Sequence, residues 1–216
     1  LKGAFSLIIL TNNQMVVARD RNGLRPLALG KLGDAYVVAS ETSAFDLIGA
    51  EYIRDVEPGE LLIISDNGIE VDNFAEKARR AMCAMEYVYF ARPDSNIDGV
   101  NVHMARKRMG KELAKEWKEL GIEADVVTGV PDSSISAAIG FAEESQIPYE
   151  LGLIKNRYVG RTFIQPTQEL RERGVKMKLS PVVQVVKGKR VVMVDDSIVR
   201  GTTSKRIVRM LKEAGA

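Results

Sequence analysis

Two carboxylates stand side by side at Asp195 and Asp196, directly after the apolar run Val191 to Val194 and directly before Ser197-Ile198-Val199-Arg200-Gly201-Thr202-Thr203. Acid followed at once by a hydroxyl-rich, glycine-containing turn suits a ligand with two chemical faces. The vicinal hydroxyls of a sugar can each donate to a carboxylate. A phosphate can rest on the backbone amides where such a turn opens a helix. Gly201 permits close approach of the main chain, and Thr202, Thr203 and Ser204 add hydroxyl donors. The stretch therefore reads as a site for a ribose 5-phosphate, built without a phosphate-binding lysine. Neither G-x-x-x-x-G-K-[ST] nor G-x-G-x-x-G occurs in the chain. A merely structural strand and capped helix explains the turn but not the paired acids, which are costly beside a core unless they find partners. A phosphorelay receiver also ends a strand in paired acids. It needs a third aspartate two strand-helix units later, and only Ser197 to Ala216 follow.

For the acids to face a ligand they must lie at the carboxyl end of a strand in a parallel sheet, where open α/β folds bind. The neighbouring sequence supplies such a sheet. Val102, Ala105, Met109, Leu113, Trp117 and Leu120 recur at helical spacing and predict a helix with that stripe inward. There follow a strand over Asp125 to Val130, a helix over about Ser134 to Glu144, and a strand over Tyr149 to Ile154. A long polar loop spans Lys155 to Leu179, and then come a strand over Arg190 to Val194 and a helix over about Thr203 to Ala214. Alternation of this kind specifies a parallel sheet flanked by helices. The first 72 residues differ. Short strands over Ala4 to Leu10, Met15 to Ala18, Tyr36 to Ala39, Leu61 to Ile64 and Ile69 to Val71 predict antiparallel sheet, with one helix around Ser43 to Ile48 and a hairpin at Asn67-Gly68. "RNGLRPLALG" reads as a broken connection between strands. Met82, Met85 and Met109 read as core packing, and His103 as a surface residue.

Composition narrows the class. Against 29 acidic residues stand 31 Lys and Arg, a formal charge of +2 that gives no reason to expect a nucleic-acid or membrane partner. No segment approaches the length of an apolar membrane span. A single cysteine, Cys83, excludes an intrachain disulfide framework and fits a reducing cytoplasm. A soluble cytoplasmic protein is expected. The chain opens on "LKGAFSLIIL", already strand-like, and closes on a helical pattern at Gly215, so it is expected to be an excerpt.

In order along the chain, "CAMEYVYFARPDSNIDGVNV", "VVTGVPDSSISAAIGFA", "GLIKNRYVGRTFIQPTQ" and "VVMVDDSIVRGTTS" resemble glutamine phosphoribosylpyrophosphate amidotransferases, the family of the first committed step of purine synthesis. "RNGLRPLALG" and "ASETSAFDLIGAEYIRDVEPGELL" extend the resemblance over the first half. It implies an α/β phosphoribosyltransferase fold preceded by an antiparallel, β-rich part of an N-terminal-nucleophile glutaminase. The implied division is 1–75 for the glutaminase part, 76–100 for an inter-domain segment and 101–216 for an incomplete phosphoribosyltransferase domain. The implied reaction passes ammonia from glutamine to C1 of phosphoribosyl pyrophosphate and expels pyrophosphate. The family's glutaminase nucleophile is an amino-terminal cysteine. Here Leu1 stands first, so glutamine hydrolysis is not expected from this chain as given.

Residue by residue, the resemblance assigns Asp195 and Asp196 to ribose and Mg²⁺, and Ser197, Ile198, Val199, Arg200, Gly201, Thr202 and Thr203 to the 5-phosphate. Pro131, Asp132, Ser133 and Ser134 are assigned to pyrophosphate, with Ser133 assisting the metal. Lys155, Arg157 and Arg161 belong to a loop that closes over the substrate. Cys83, which its apolar surroundings alone would make a small core residue, falls where the iron–sulfur branch places one of four [4Fe-4S] ligands. The implied partners are purine nucleotide inhibitors and further copies of the complete protein. A regulator that keeps the domain only to sense phosphoribosyl pyrophosphate is the rival reading. It would need a DNA-reading element, and residues 1 to 72 show neither a helix-turn-helix pattern nor a basic helix.

Overall fold

The computed structural model of the chain describes residues 1–75, 79–156 and 179–216, which divide into two units, Leu1–Ala105 and Arg106–Ala216. In the first, alternating apolar residues build two antiparallel sheets. One has the order β1 (Ser6–Leu10), β2 (Gln14–Arg19), β6 (Glu60–Ser65), β7 (Gly68–Asn73); the other runs β4 (Ala35–Ala39), β3 (Ala28–Leu32), β5 (Glu51–Asp55). In β6, Glu60, Leu62 and Ile64 are buried while the residues between them are half-exposed, the two-residue period of a strand with one face inward. Val17, Leu62 and Ile64 of the first sheet join Leu29 of the second, with Leu27 and Val56, in one core. Helix α1 spans Ser43–Ile48 as expected, with Phe45 buried. The Asn67-Gly68 signal is a hairpin whose pairing runs from Ser65 opposite Gly68.

Strands β3 and β5 of these sheets were not anticipated. "RNGLRPLALG" does not merely connect, since Ala28–Leu32 is the central strand of the second sheet, with Ala28 and Leu29 buried. Pro26, lacking a donor, stands just before the strand. Strand β5, "EYIRD", carries polar residues because it is an edge with a mostly exposed face. Beyond it, a wide helical turn over Glu86–Phe90 closes when the Ala91 N–H donates to the Glu86 carbonyl at 3.0 Å. Strands β8 (Asn96–Ile97) and β9 (Val100–Asn101) then form a hairpin.

In the second unit β10 (Val126–Gly129) pairs in parallel with β13 (Val191–Val194), Val126 opposite Val191 and Gly129 opposite Val194. Their side chains alternate between two cores. Val127, Val192 and Val194 pack with α3 (Ile135–Ser145) through Ala138, Phe141 and Ala142. On the other face Val191 and Met193 pack with Ile207 and Leu211 of α5 (Thr202–Glu213) and with Val186 of the short α4 (Val183–Val186). Helices on both faces of a parallel pair make this an α/β unit.

The long helix α2 (Val102–Glu119) exists as expected, but its inward face is turned from the expected stripe. Val102, Ala105, Arg106, Gly110 and Ala114 are buried, whereas Met109, Leu113 and Leu120 are exposed. Gly110 is the reason. A β-carbon there would lie 1.9 Å from the Ala137 carbonyl oxygen of α3, and one on Gly140 would lie 2.0 Å from that of Lys107, so the two backbones touch where side chains would have held them apart. Met85 is also exposed, while Met82 packs against the Ala91, Ile97 and Val102 cluster. His103 is half-exposed. The expected strand over Tyr149 to Ile154 is divided: Tyr149 bridges in parallel to Val127, and β11 (Leu153–Lys155) instead pairs antiparallel with β12 (Leu179–Pro181). Between them the Gly152 N–H turns to the Thr128 hydroxyl at 3.0 Å and to the Glu150 carbonyl at 2.9 Å, interrupting the ladder. Among the described residues no helix is long and apolar enough to cross a membrane.

Candidate functional site

Because β10 and β13 run parallel and in register, the turns leaving them emerge at one edge. The Val130 N–H donates to the Val194 carbonyl at 2.9 Å, extending the pairing to the point where both chains turn away. From β13 come Asp195 and Asp196; from β10 come Pro131, Asp132, Ser133 and Ser134 before α3 begins. Five residues of the two turns meet through hydroxyl-to-carboxylate hydrogen bonds. Ser133 Oγ donates to Asp196 Oδ2, Ser197 Oγ donates to Asp196 Oδ1 at 2.6 Å, and Ser134 Oγ donates to Asp195 Oδ1 at 3.3 Å. The Asp196 N–H also reaches Asp195 Oδ1, at 2.9 Å.

Both acids are half-buried, and among the described residues neither forms an ion pair. Burial pushes the Asp195 carboxyl above its ordinary value; the Asp196 N–H bond opposes this, the Asp196 charge adds to it, and the Ser134 bond opposes it again. Paired acids without cations are poised for a ligand that brings hydrogen-bond donors or positive charge. Past them Ser197 to Arg200 are exposed, and Gly201, at φ 69°, turns into α5 in a left-handed conformation that glycine adopts freely. No side chain caps this helix, and Thr202 and Thr203 of its first turn are exposed. A twelve-residue helix with an uncapped, accessible amino end presents free N–H donors to an anion.

Lys155, at the end of β11, reaches the turn after β10, its Nζ 2.6 Å from Asp132 Oδ2. Both side chains are more than half exposed, so the pair is screened and contributes at most about 1 kcal/mol. The lysine thus sits at the Pro131–Ser134 turn without being firmly committed there. Sequence reasoning named Lys155 and Asp132 but not their pairing, which depends on the antiparallel turn of β11. Arg157 and Arg161 lie outside the described residues. Thr128, buried on β10, was missed as well; its hydroxyl fixes Gly152 and so the approach of β11 to the site.

Cys83 lies in the first unit, half-buried, its N–H donating to the Leu24 carbonyl at 3.1 Å. Among the described residues no three His, Cys, Asp or Glu side chains are grouped to hold a metal.

A parallel α/β unit with paired acids at one strand end and an open helix amino end beside them has its candidate site where open α/β folds bind ligands, beyond the carboxyl ends of the strands. The family model described as "Phosphoribosyl transferase domain" matches residues 97–216, and the chain belongs to that family. A second, described as "Glutamine amidotransferase domain", matches residues 1–47. The chain is 69% identical over its full length to the Bacillus subtilis (strain 168) protein named amidophosphoribosyltransferase, of which it covers 45%. It is 57% identical to the protein of the same name from Staphylococcus epidermidis (strain ATCC 12228 / FDA PCI 1200), of which it covers 43%. A solved structure of the B. subtilis glutamine phosphoribosylpyrophosphate amidotransferase, complexed with ADP and GMP, matches all of the chain with a TM-score of 0.91 at 69% identity, and 47% of that protein is covered. The chain thus spans about half the length of the curated relatives it matches. The names of these relatives agree with the resemblance read in the motifs.

Proposed function

We propose that this chain supplies the sugar-phosphate site of an amidophosphoribosyltransferase of purine biosynthesis, which forms 5-phosphoribosylamine from phosphoribosyl pyrophosphate and glutamine-derived ammonia. One observation carries the reading: Asp195 and Asp196, which form no ion pair among the described residues, lie between the open amino end of α5 and the Pro131–Ser134 turn. In this arrangement Asp195 and Asp196 accept hydrogen bonds from the ribose hydroxyls, and the amides and hydroxyls from Ser197 to Thr203 hold the 5-phosphate. The accessible part of that turn, Pro131 to Ser133, holds pyrophosphate. Ammonia attacks C1 directly as the bond to pyrophosphate breaks, so no protein nucleophile is needed. Lys155, released from Asp132, offsets the charge gathering on the departing group, and Arg157 and Arg161 are assigned the same role.

The oxygen donors Ser133, Asp195 and Asp196 suit Mg²⁺, which takes one or two carboxylates and keeps several waters. Bound there, the ion would neutralise pyrophosphate charge. For Cys83 the fit is incomplete. A [4Fe-4S] cluster is held by four thiolates and the sequence contains one, so a ligand role for Cys83 requires cysteines from other parts of a longer protein. We assign residues 1–75 to a glutaminase part, 76–100 to an inter-domain segment and 101–216 to the phosphoribosyltransferase. The structure of the B. subtilis relative with ADP and GMP supports purine nucleotides as inhibitors here. A homo-oligomeric, cytoplasmic enzyme completes the proposal.

The test is ammonia-dependent pyrophosphate release by the complete protein. Asp196→Asn is expected to lower the rate about 100-fold and to weaken binding of phosphoribosyl pyrophosphate, because a neutral amide offers the ribose and metal less negative charge. An unchanged rate refutes the assignment of the site.

A further inference from the structure

Ser134 occupies the residue before α3, where a serine ordinarily caps the helix by accepting from its first N–H groups. Here it does not. No side-chain cap bond is made, and the hydroxyl instead donates across to Asp195 Oδ1 at 3.3 Å. Its own N–H is bound to the Val130 carbonyl at 3.3 Å, and its carbonyl receives the Ala138 N–H at 2.9 Å, so the residue is fixed at both backbone atoms. Only 1% of its surface is exposed. A side chain so enclosed is poorly placed to touch pyrophosphate, unlike its half-exposed neighbour Ser133.

The two acids are held in different ways. Both Asp196 oxygens accept from the hydroxyls of more exposed serines, Ser133 and Ser197, which can rotate toward a ligand. Asp195 has one oxygen, Oδ1, bonded by two donors that cannot move far: the buried Ser134 hydroxyl and the Asp196 backbone N–H at 2.9 Å. Fixing Oδ1 sets the plane of the carboxylate and leaves Oδ2 for the ligand.

We propose that Ser134 is a positioning residue, not a substrate contact: it forgoes capping α3 in order to orient Asp195 toward the sugar. This rests on the reading of Asp195 as a ribose ligand. A carboxylate held in place before binding loses less freedom when it meets the sugar, and the gain applies equally to bound substrate and transition state. Loss of the hydroxyl therefore raises KM and leaves kcat nearly unchanged.

The experiment is a double-mutant cycle in the complete protein with ammonia and phosphoribosyl pyrophosphate. Ser134→Ala is expected to raise KM for phosphoribosyl pyrophosphate about 5-fold, the worth of one hydrogen bond of about 1 kcal/mol, with kcat within about twofold. Ser134→Cys leaves no cavity but is a weak donor, so it is expected to follow Ser134→Ala and separates the bond from the void that truncation leaves. In an Asp195→Asn background Ser134→Ala is expected to add little, because its effect passes through Asp195. Equal effects in both backgrounds, or a Cys variant with wild-type KM, overturn the inference while leaving the site intact. If Asp195→Asn alone does not change KM, the ribose reading itself fails, and the inference with it.

Discussion

At the scale of single residues, the legible part of the site was that whose chemistry is set by position along the backbone. Two acids at a strand end announce themselves in any order of side chains, and Asp195 and Asp196 lie where that logic puts them. Which oxygen accepts from which hydroxyl was not legible, because it depends on how closely the turns after β10 and β13 approach. The same holds for Asp98. The Asp-Gly pair at Asp98-Gly99 was an available hairpin signal, but nothing in the sequence says that its carboxylate meets Arg19. In the structure Arg19 is wholly buried, with its guanidinium bonded to both Asp98 oxygens at 3.2 and 3.3 Å and to the carbonyls of Arg25, Val56 and Gly23. Removing one partner of such a pair strands a buried charge, which costs about 3 kcal/mol or more. Asp98 has φ 47°, a conformation asparagine also tolerates, so Asp98→Asn changes charge without adding backbone strain. The variant is expected to be destabilised by about 3 kcal/mol in denaturant titration of the first unit. A loss under about 1 kcal/mol would show that the carbonyls alone satisfy Arg19.

Among elements, periodicity found the helices and misjudged one of their faces. The stripe through Met109, Leu113 and Leu120 is more apolar than the true inward face of α2, but size decided the packing rather than hydrophobicity. Glycines at 110 and 140 let α2 and α3 come together backbone to backbone, turning Gly110 and Ala114 inward. A pattern search that scores apolar area gives glycine no weight, which is why the inward face was missed. Strands β3 and β5 escaped for a related reason: short, with glycine or charge breaking into their apolar residues, they lack an uninterrupted apolar period. The helix contact yields a prediction whose sign distinguishes two effects. Alanine in a helix interior is favoured over glycine by about 1 kcal/mol. A β-carbon on Gly140, however, would stand 2.0 Å from the Lys107 carbonyl oxygen, and backbone cannot yield as a side-chain tip can. Overpacking costs about 1 to 3 kcal/mol or more, so Gly140→Ala is expected to be net destabilising in thermal melts. A stabilised variant would mean that the helices separate freely.

For the molecule as a whole, the sequence showed a change of period and the structure shows what the change separates. No residue of the core formed by Val17, Leu27, Leu29, Val56, Leu62 and Ile64 belongs to either core of the α/β unit. The cores differ in construction too. The first draws on antiparallel strands; the others lie on opposite faces of the parallel pair β10 and β13. Cooperative opening follows shared buried contacts, so damage to one core is expected to stay within its unit. Hydrogen exchange of the complete protein reads this directly. In Asp98→Asn the amides of Val17 and Leu62 are expected to lose protection while those of Val127 and Phe141 keep theirs. Gly140→Ala is expected to produce the reverse. If either substitution lowers protection equally in both sets, the cores open together, and the acids at the end of β13 then depend for their position on the antiparallel sheets as much as on the helices that flank them.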